Sequence, residues 1–173
     1  MNRAMSFVLA AVALSSVLAS HPRASVLAPP PDLKAFSNSA DVIVVGTLVG
    51  TTKGVIGKNQ FGFPIRVTDH HFAIKSEVKT DARRPDPETI IMSTTDDPTG
   101  QEIAAAFKSG QDYVLFLAWV EDFKIYSPIY GLAGAYHVQS GVAQPLEPKT
   151  ALVQKHGRLS MNQLVALAET ASR

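Results

Sequence analysis

The chain has 173 residues, of which 46% are hydrophobic and 18% are charged, and this length suits one domain with a buried core. It contains no cysteine, which excludes disulfides, thiolate nucleophiles and thiolate zinc sites. The formal net charge of +1 provides little electrostatic attraction to nucleic acid, so no nucleic-acid partner is expected.

The amino-terminal segment has the pattern of a secretory signal peptide. Arg3 precedes an apolar run from Met5 to Leu18, and Ala19 suits the residue before a cut, with the small Val17 two places earlier. We therefore predict cleavage after Ala19, a mature chain that begins at Ser20, and export to the periplasm or the medium. The apolar run is shorter than the roughly 20 residues of a transmembrane helix, so no permanent membrane span is expected. An uncleaved signal anchor is the alternative.

Three regions are predicted, namely a signal peptide at residues 1–19, a proline-rich linker at 20–31 and a single domain at 32–173. Three consecutive prolines in the linker favour extended polyproline geometry. At the start of the domain, Asp32 can cap a short helical turn. The following run, residues 40–49, is rich in Val and Ile without polar alternation, which predicts a strand covered on both faces. Gly46 within that run indicates a bulge.

The rest of the domain alternates between β-prone runs and turns. Residues 50–59 contain three glycines and many polar side chains, which predicts a mobile loop. Apolar and polar residues alternate at 70–78, as in a half-exposed strand. Further strands are predicted at residues 89–94, 112–119, 123–130 and 136–142, the last around a Ser140-Gly141 turn.

Two capping boxes predict two helices. The first, at residues 99–102, opens a helix that Gly110 ends, and the second, at 160–163, opens a carboxyl-terminal helix that docks outside the barrel. The resulting order is three strands, a helix, further strands and a final helix. It predicts a mainly β protein with two short helices, arranged as a small OB-like Greek-key barrel with one helix between strands 3 and 4. An open β-sandwich is the alternative.

Three segments carry a resemblance to a known family. The segments ADVIVVGTL at 40–48, GQDYVLFL at 110–117 and GLAGAYHV at 131–138 resemble exported bacterial modules related to the netrin and metalloprotease-inhibitor (TIMP-like) OB folds. The resemblance covers residues 33–145 and implies the barrel, but most such modules have no assigned role. The inhibitors of this superfamily place an amino-terminal cysteine on the protease zinc. This cysteine-free chain does not carry that chemistry.

Four aromatic residues are candidate ligand contacts, namely Trp119, Phe123, Tyr126 and Tyr130. They surround the predicted fourth and fifth strands, near the loop with which OB folds often grip extended ligands. Such rings can stack on a sugar or a peptide. Packing in the core or at the end of the barrel is the alternative, because Trp and Tyr commonly bury most of their rings.

Asp69 and His71 are the candidate metal ligands. In a strand they project to one face, whereas His70 projects to the other. A third ligand would have to come from His137 or His156 after folding. The alternative is a pair of ordinary polar residues on an exposed strand.

No motif in the chain specifies a reaction or a cofactor. There is no Gly-x-Ser-x-Gly nucleophile elbow, and the paired acids Asp96 and Asp97 precede Pro98 in a predicted turn. The sequence therefore favours an exported, noncatalytic module that binds an extracytoplasmic protein, peptide or glycan. An extracytoplasmic enzyme, a metal-binding protein and a protease inhibitor of altered chemistry remain alternatives.

Overall fold

The computed structural model describes residues 33–84, 86–147 and 159–172. The predicted signal peptide and linker lie outside these residues, as does His156. The described chain forms a mainly β fold with short helices. Its elements are α1 (Leu33–Ser39), β1 (Val42–Lys58), β2 (Pro64–Lys79), β3 (Thr89–Thr95), α2 (Pro98–Ala106), β4 (Asp112–Val120), β5 (Ile125–Pro128), a 3-10 helix (Gly131–Gly134), β6 (Ala135–Gln139), β7 (Val142–Pro145), β8 (Leu159–Ser160) and α3 (Met161–Ser172).

Five strands close into a barrel in the order β1-β2-β3-β5-β4, because β4 pairs back onto β1. The β1–β4 pairing is antiparallel and includes Ile43 opposite Phe116. β3 and β5 pair in parallel at Met92 and Tyr126. This closed topology confirms the predicted OB-like barrel, and α2 lies between β3 and β4 as expected. β6, β7 and β8 extend the sheet beyond β4.

The core lies on both sides of the barrel wall. Alternate residues of β1 face opposite sides, so that Val42 and Val44 pack inside the barrel while Ile43 and Val45 pack outside it. The outer cluster includes Phe36 of α1 and Leu164 of α3, both fully buried. Burial on two faces explains the uninterrupted Val and Ile run of β1 and confirms the prediction made from it.

β1 is longer than the sequence indicated, and the loop predicted at residues 50–59 is wrong. β1 continues to Lys58, which pairs with Pro64 of β2. Gly50 and Gly57 stand at register shifts between the two strands, so they bend the hairpin without ending it. The bulge predicted at Gly46 is confirmed by the shift between Val45 and Gly46. A Cβ at Gly46 would lie 3.0 Å from the carbonyl oxygen of Ala73, which accounts for glycine there.

The first capping box was assigned two residues too late. α2 starts at Pro98, and its N-cap is Asp97, whose Oδ1 accepts the N–H of Gly100 at 2.8 Å. The second capping box is confirmed. The N–H of Gln163 donates to Ser160 Oγ at 3.2 Å, and the N–H of Ser160 donates to Gln163 Oε1 at 2.9 Å.

Candidate functional site

A cavity of about 580 Å³ opens on the side of the barrel. We call it the cleft. It lies between the end of β1, the first turn of α2 and the β4–β5 loop, with β3 and β5 behind it. Its size falls in the range of about 300–1,000 Å³ that is typical of ligand pockets. The cleft is lined by Ile56, Ser93, Thr94, Thr95, Asp97, Pro98, Thr99, Gly100, Ile103, Val120, Phe123, Ile125, Ser127, Pro128 and Gly131.

The walls of the cleft are mainly apolar, with hydroxyl groups distributed among the apolar side chains. Ile56 arrives from β1, Ile103 from α2 and Phe123 from the β4–β5 loop. Thr99 and Ser127 are among the residues that supply hydroxyls. An apolar surface with a few polar groups binds apolar portions of a ligand and orients its hydrogen-bonding groups.

The wall at the start of α2 is fixed by a compact turn. Asp97 Oδ2 accepts the Thr95 hydroxyl at 2.7 Å, while Oδ1 accepts the Gly100 N–H. The bond from Gly100 and then that from Thr95 hold the pKa of Asp97 below its ordinary value. A Cβ at Gly100 would overlap the carbonyl oxygen of Thr95, so this position accepts only glycine. The turn therefore holds α2 closely against β3.

Phe123 is the predicted ligand contact that lines the cleft. It belongs to a tight turn in which its N–H donates to the carbonyl of Val120 at 3.2 Å, and the next residue, Lys124, has a φ of 52°. A Cβ at Gly57 would lie 3.9 Å from the Phe123 ring. The β4–β5 loop and the end of β1 thus approach one another across the cleft.

Trp119 and Tyr126 pack together outside the cleft lining. Their ring centres are 5.0 Å apart, and Tyr126 is only 3% exposed. The Tyr126 hydroxyl donates to Asp81 Oδ2 at 3.0 Å. Burial and this hydrogen bond raise the pKa of Tyr126 to about 12.

Arg83 joins the same network from the β2–β3 loop. Its guanidinium carbon lies 5.6 Å from the Trp119 ring centre, and it contacts Asp41 and Asp81, each at 2.8 Å. Asp41 Oδ2 also accepts the backbone N–H of Trp119 at 2.8 Å. These contacts fasten the β2–β3 loop to the barrel, which gives Trp119 a structural role.

Tyr130 occupies a third location. It adopts a left-handed conformation with a φ of 52°, and its ring centre lies 5.5 Å from that of Phe36 in α1. The structure thus brings Trp119 and Tyr126 together, places Phe123 in the cleft and sets Tyr130 beneath α1.

The candidate metal ligands have hydrogen-bond partners across neighbouring strands. Asp69 Oδ1 accepts the Ser93 hydroxyl at 2.6 Å, and His71 Nε2 lies 2.9 Å from the Thr52 hydroxyl. His70 is buried, with its Nε2 3.2 Å from the Thr94 hydroxyl, and burial lowers its pKa. Within residues 33–84, 86–147 and 159–172, no group of three His, Asp or Glu side chains converges as a metal site would require.

His137, one of the two histidines that could have supplied a third ligand, lies on β6 opposite Tyr113 of β4, with the two ring centres 5.5 Å apart. It therefore packs on a different pair of strands from Asp69 and His71, which belong to β2.

Sequence reasoning missed most of the cleft. Ile56 lies in the segment that was predicted to be a loop, so nothing pointed to its place in a wall. A usable signal did exist at Asp97 and Pro98, because an N-cap acid followed by proline at the first helical position marks a helix start. That signal would have moved the start of α2 to the edge of β3.

Comparison with known proteins does not assign the chain to a group, since it matches no family model and no curated protein. Among the helices that the structure describes, none has the length and apolar character needed to cross a membrane.

Proposed function

We propose that this chain is an exported, noncatalytic binding module whose cleft takes an apolar segment of an extracytoplasmic peptide or protein. The observation that carries the proposal is the cleft itself, about 580 Å³ in volume, with mainly apolar walls and scattered hydroxyls. Apolar side chains of a ligand would fill it, and the hydroxyls would bond to the ligand backbone.

The charge of the lining supports binding rather than catalysis. Asp97 is the one ionisable residue among the described residues that line the cleft, and both of its carboxylate oxygens already serve the turn at the start of α2. A carboxylate whose two oxygens are both engaged in this way is poorly placed to act as a general base toward a bound ligand.

The aromatic content of the cleft favours a peptide over a glycan. Phe123 is the one aromatic residue in the described lining, and it comes with aliphatic neighbours such as Ile103 and Ile125. Trp119 and Tyr126, which are better suited to stacking on sugars, are already packed on each other.

Two sequence features support the remainder of the proposal. The signal-like pattern at residues 1–19 supports export. The three segments that resemble the netrin and metalloprotease-inhibitor superfamily fall in and around β1, in β4 with its preceding turn, and in the 3-10 helix with β6. A mature amino terminus at Ser20, measured by intact mass on protein secreted by its host, would agree with export, and an untrimmed chain would contradict it.

The binding proposal is tested by selecting a random-peptide display library on the immobilised mature chain. We expect the selected peptides to share apolar side chains, and Phe123→Ala to weaken their binding by at least about tenfold. Phe61→Ala is the matched control, because Phe61 is 73% exposed and lies outside the cleft lining.

Three results would contradict the proposal. Peptides that bind the Phe123→Ala variant as tightly as the unmodified protein would place the site elsewhere. Peptides that lose binding only with Phe61→Ala would place it on the β1–β2 turn. Binding to a glycan array, with no peptide selected from the library, would show that the ligand is a glycan and not a peptide.

A further inference from the structure

The end of the β1–β2 hairpin exposes two large apolar rings. Phe61 and Phe63 are 73% and 66% exposed, the highest values among the exposed large hydrophobic residues of the described chain. They belong to the hairpin tip, which we define as residues 59–63. Large apolar rings exposed two residues apart on one turn indicate a surface that contacts something outside the molecule.

The hairpin tip is a well-ordered turn. Asn59 Oδ1 accepts the N–H groups of Phe61 and Phe63, each at 3.0 Å. The Asn59 N–H donates to the Phe63 carbonyl at 2.8 Å, and Gly62, with a φ of 83°, donates to the Asn59 carbonyl at 2.9 Å. The backbone that carries the two rings is thus fixed before any contact is made, which lowers the entropy cost of binding.

The hairpin tip stands away from most of the barrel. The last residue of β1 to pair with β4 is Thr47, and the first residue of β2 to pair with β3 is Val67. In residues 55–66 the two strands therefore have only each other as sheet partners in the described chain. The rings are carried on a two-stranded extension of the sheet, and the N–H of Asp96 donates to the Arg66 carbonyl at its base.

The portions of the two strands next to the hairpin tip carry cations and no acid. Residues 42–68 contain Lys53, Lys58 and Arg66 and no acid, although the whole chain carries 16 basic and 15 acidic residues. All three are exposed, and none forms an ion pair in the part of the chain that the structure describes. Two acids from outside this segment do lie near Arg66, because Asp96 and Asp97 line the same shallow depression as Asn59 and Arg66.

The spacing of rings and charges matches the layers of a lipid surface. At about 3.3 Å per strand residue, Lys58 lies next to the turn, and Arg66 lies about 10 Å behind Phe63. Apolar side chains of interfacial segments enter the membrane by about 5–10 Å. With the rings inserted, Lys58 and Arg66 would stand at the level of the phosphate groups, where cations are attracted to anionic lipids.

From this arrangement we propose that the hairpin tip docks the protein on an anionic lipid surface, with Phe61 and Phe63 inserted and Lys58 and Arg66 on the headgroups. The docking is peripheral and reversible. It is a separate property from ligand binding in the cleft, because neither ring lines the cleft.

The test uses the purified mature chain and sedimentation with vesicles of phosphatidylcholine and phosphatidylglycerol in equal amounts, compared with pure phosphatidylcholine. We expect binding to the anionic vesicles that weakens as salt is added. The double variant Phe61→Ser with Phe63→Ser should bind at least about tenfold less. Ile91→Ser is the matched control, since Ile91 is an exposed apolar residue on β3 and should leave binding unchanged.

The charges are tested by the double variant Lys58→Gln with Arg66→Gln. We expect about fivefold weaker binding for each charge removed and a smaller salt dependence. Lys34→Gln with Lys108→Gln removes two exposed cations elsewhere and should have little effect.

A second measurement does not depend on the fold of the serine variant. Because the chain has no cysteine, Gln60→Cys provides a single site for an environment-sensitive fluorophore at the hairpin tip. Its emission should shift to the blue on anionic vesicles. Absence of that shift, absence of vesicle binding, or unchanged binding by the ring variant would overturn the proposal. It would also be overturned if ring substitution dissociated a dimer but left vesicle binding intact, because the occupant would then be a second copy.

Discussion

At the scale of single residues, the turn that starts α2 determines the shape of the cleft. Gly100 is buried and lies against Thr95, and Asp97 ties the end of β3 to the first turn of the helix. Close contact with Thr95 requires a glycine at position 100, whereas capping of α2 requires an acceptor such as the Asp97 carboxylate at position 97. The two requirements have separate physical causes. Each can therefore be tested by one substitution with a matched control.

Gly100→Ala should lower the free energy of unfolding by about 3 kcal/mol, because the new methyl group overlaps backbone that has to shift. Gly50→Ala is the control. Nothing lies within 4 Å of a Cβ at Gly50, so its unfolding free energy should change by less than about 1 kcal/mol, in the stabilising direction. Urea unfolding followed by circular dichroism measures both. Equal effects of the two substitutions would contradict the close contact at Gly100.

Asp97→Ala should lower the unfolding free energy at neutral pH by about 1 kcal/mol through loss of the cap. The folded-state pKa of Asp97 lies below the ordinary 3.8, so its charged form contributes stability above that pH. The contribution is lost as the pH falls through the folded pKa. The difference between the original protein and Asp97→Ala should therefore shrink as urea unfolding is repeated at pH values below 3.8.

Asp97→Asn is the control for this titration, because asparagine caps a helix about as well as aspartate but does not ionise. Its stability at neutral pH should stay close to that of the original protein. The assigned role of the carboxylate would be contradicted if the difference in unfolding free energy between Asp97→Ala and the original protein stayed constant as the pH was lowered below 3.8.

At the scale of elements, the sequence predicted those whose signal is local. The start of α3 was found because Ser160 and Gln163 cap each other. The β6–β7 turn was found because the Ser140-Gly141 pair is typical of a two-residue hairpin, and both residues adopt the positive φ that such a turn requires. The far half of β1 was missed, because its glycines resemble a loop until pairing with β2 is known.

The hairpin between β1 and β2 supplies a test at this scale. Asn59→Ala removes the acceptor of two backbone N–H groups. The amides of Phe61 and Phe63 should then exchange with solvent about tenfold faster, with little change in global unfolding. Gln60→Ala is the control, because the exposed Gln60 makes no side-chain hydrogen bond among the described residues. Hydrogen exchange measured by NMR separates the two variants, and equal protection in both would contradict the turn.

At the scale of the whole molecule, barrel closure creates the cleft from distant parts of the chain. The element order indicated the fold, since three strands, a helix and further strands are typical of an OB-like barrel. The site was not predictable in the same way. Ile56, Asp97 and Phe123 share no local pattern, and they meet only because β3 pairs with β5 and β4 pairs with β1.

The most direct test of this account is NMR of the isotope-labelled protein, which detects protons close together on paired strands. We expect cross-strand contacts between Met92 and Tyr126, where β3 meets β5, and between Ile43 and Phe116, where β1 meets β4. Both sets together establish the closed barrel that assembles the cleft. Intact β1–β2 contacts without contacts at either closing pair would contradict it and indicate an open sheet.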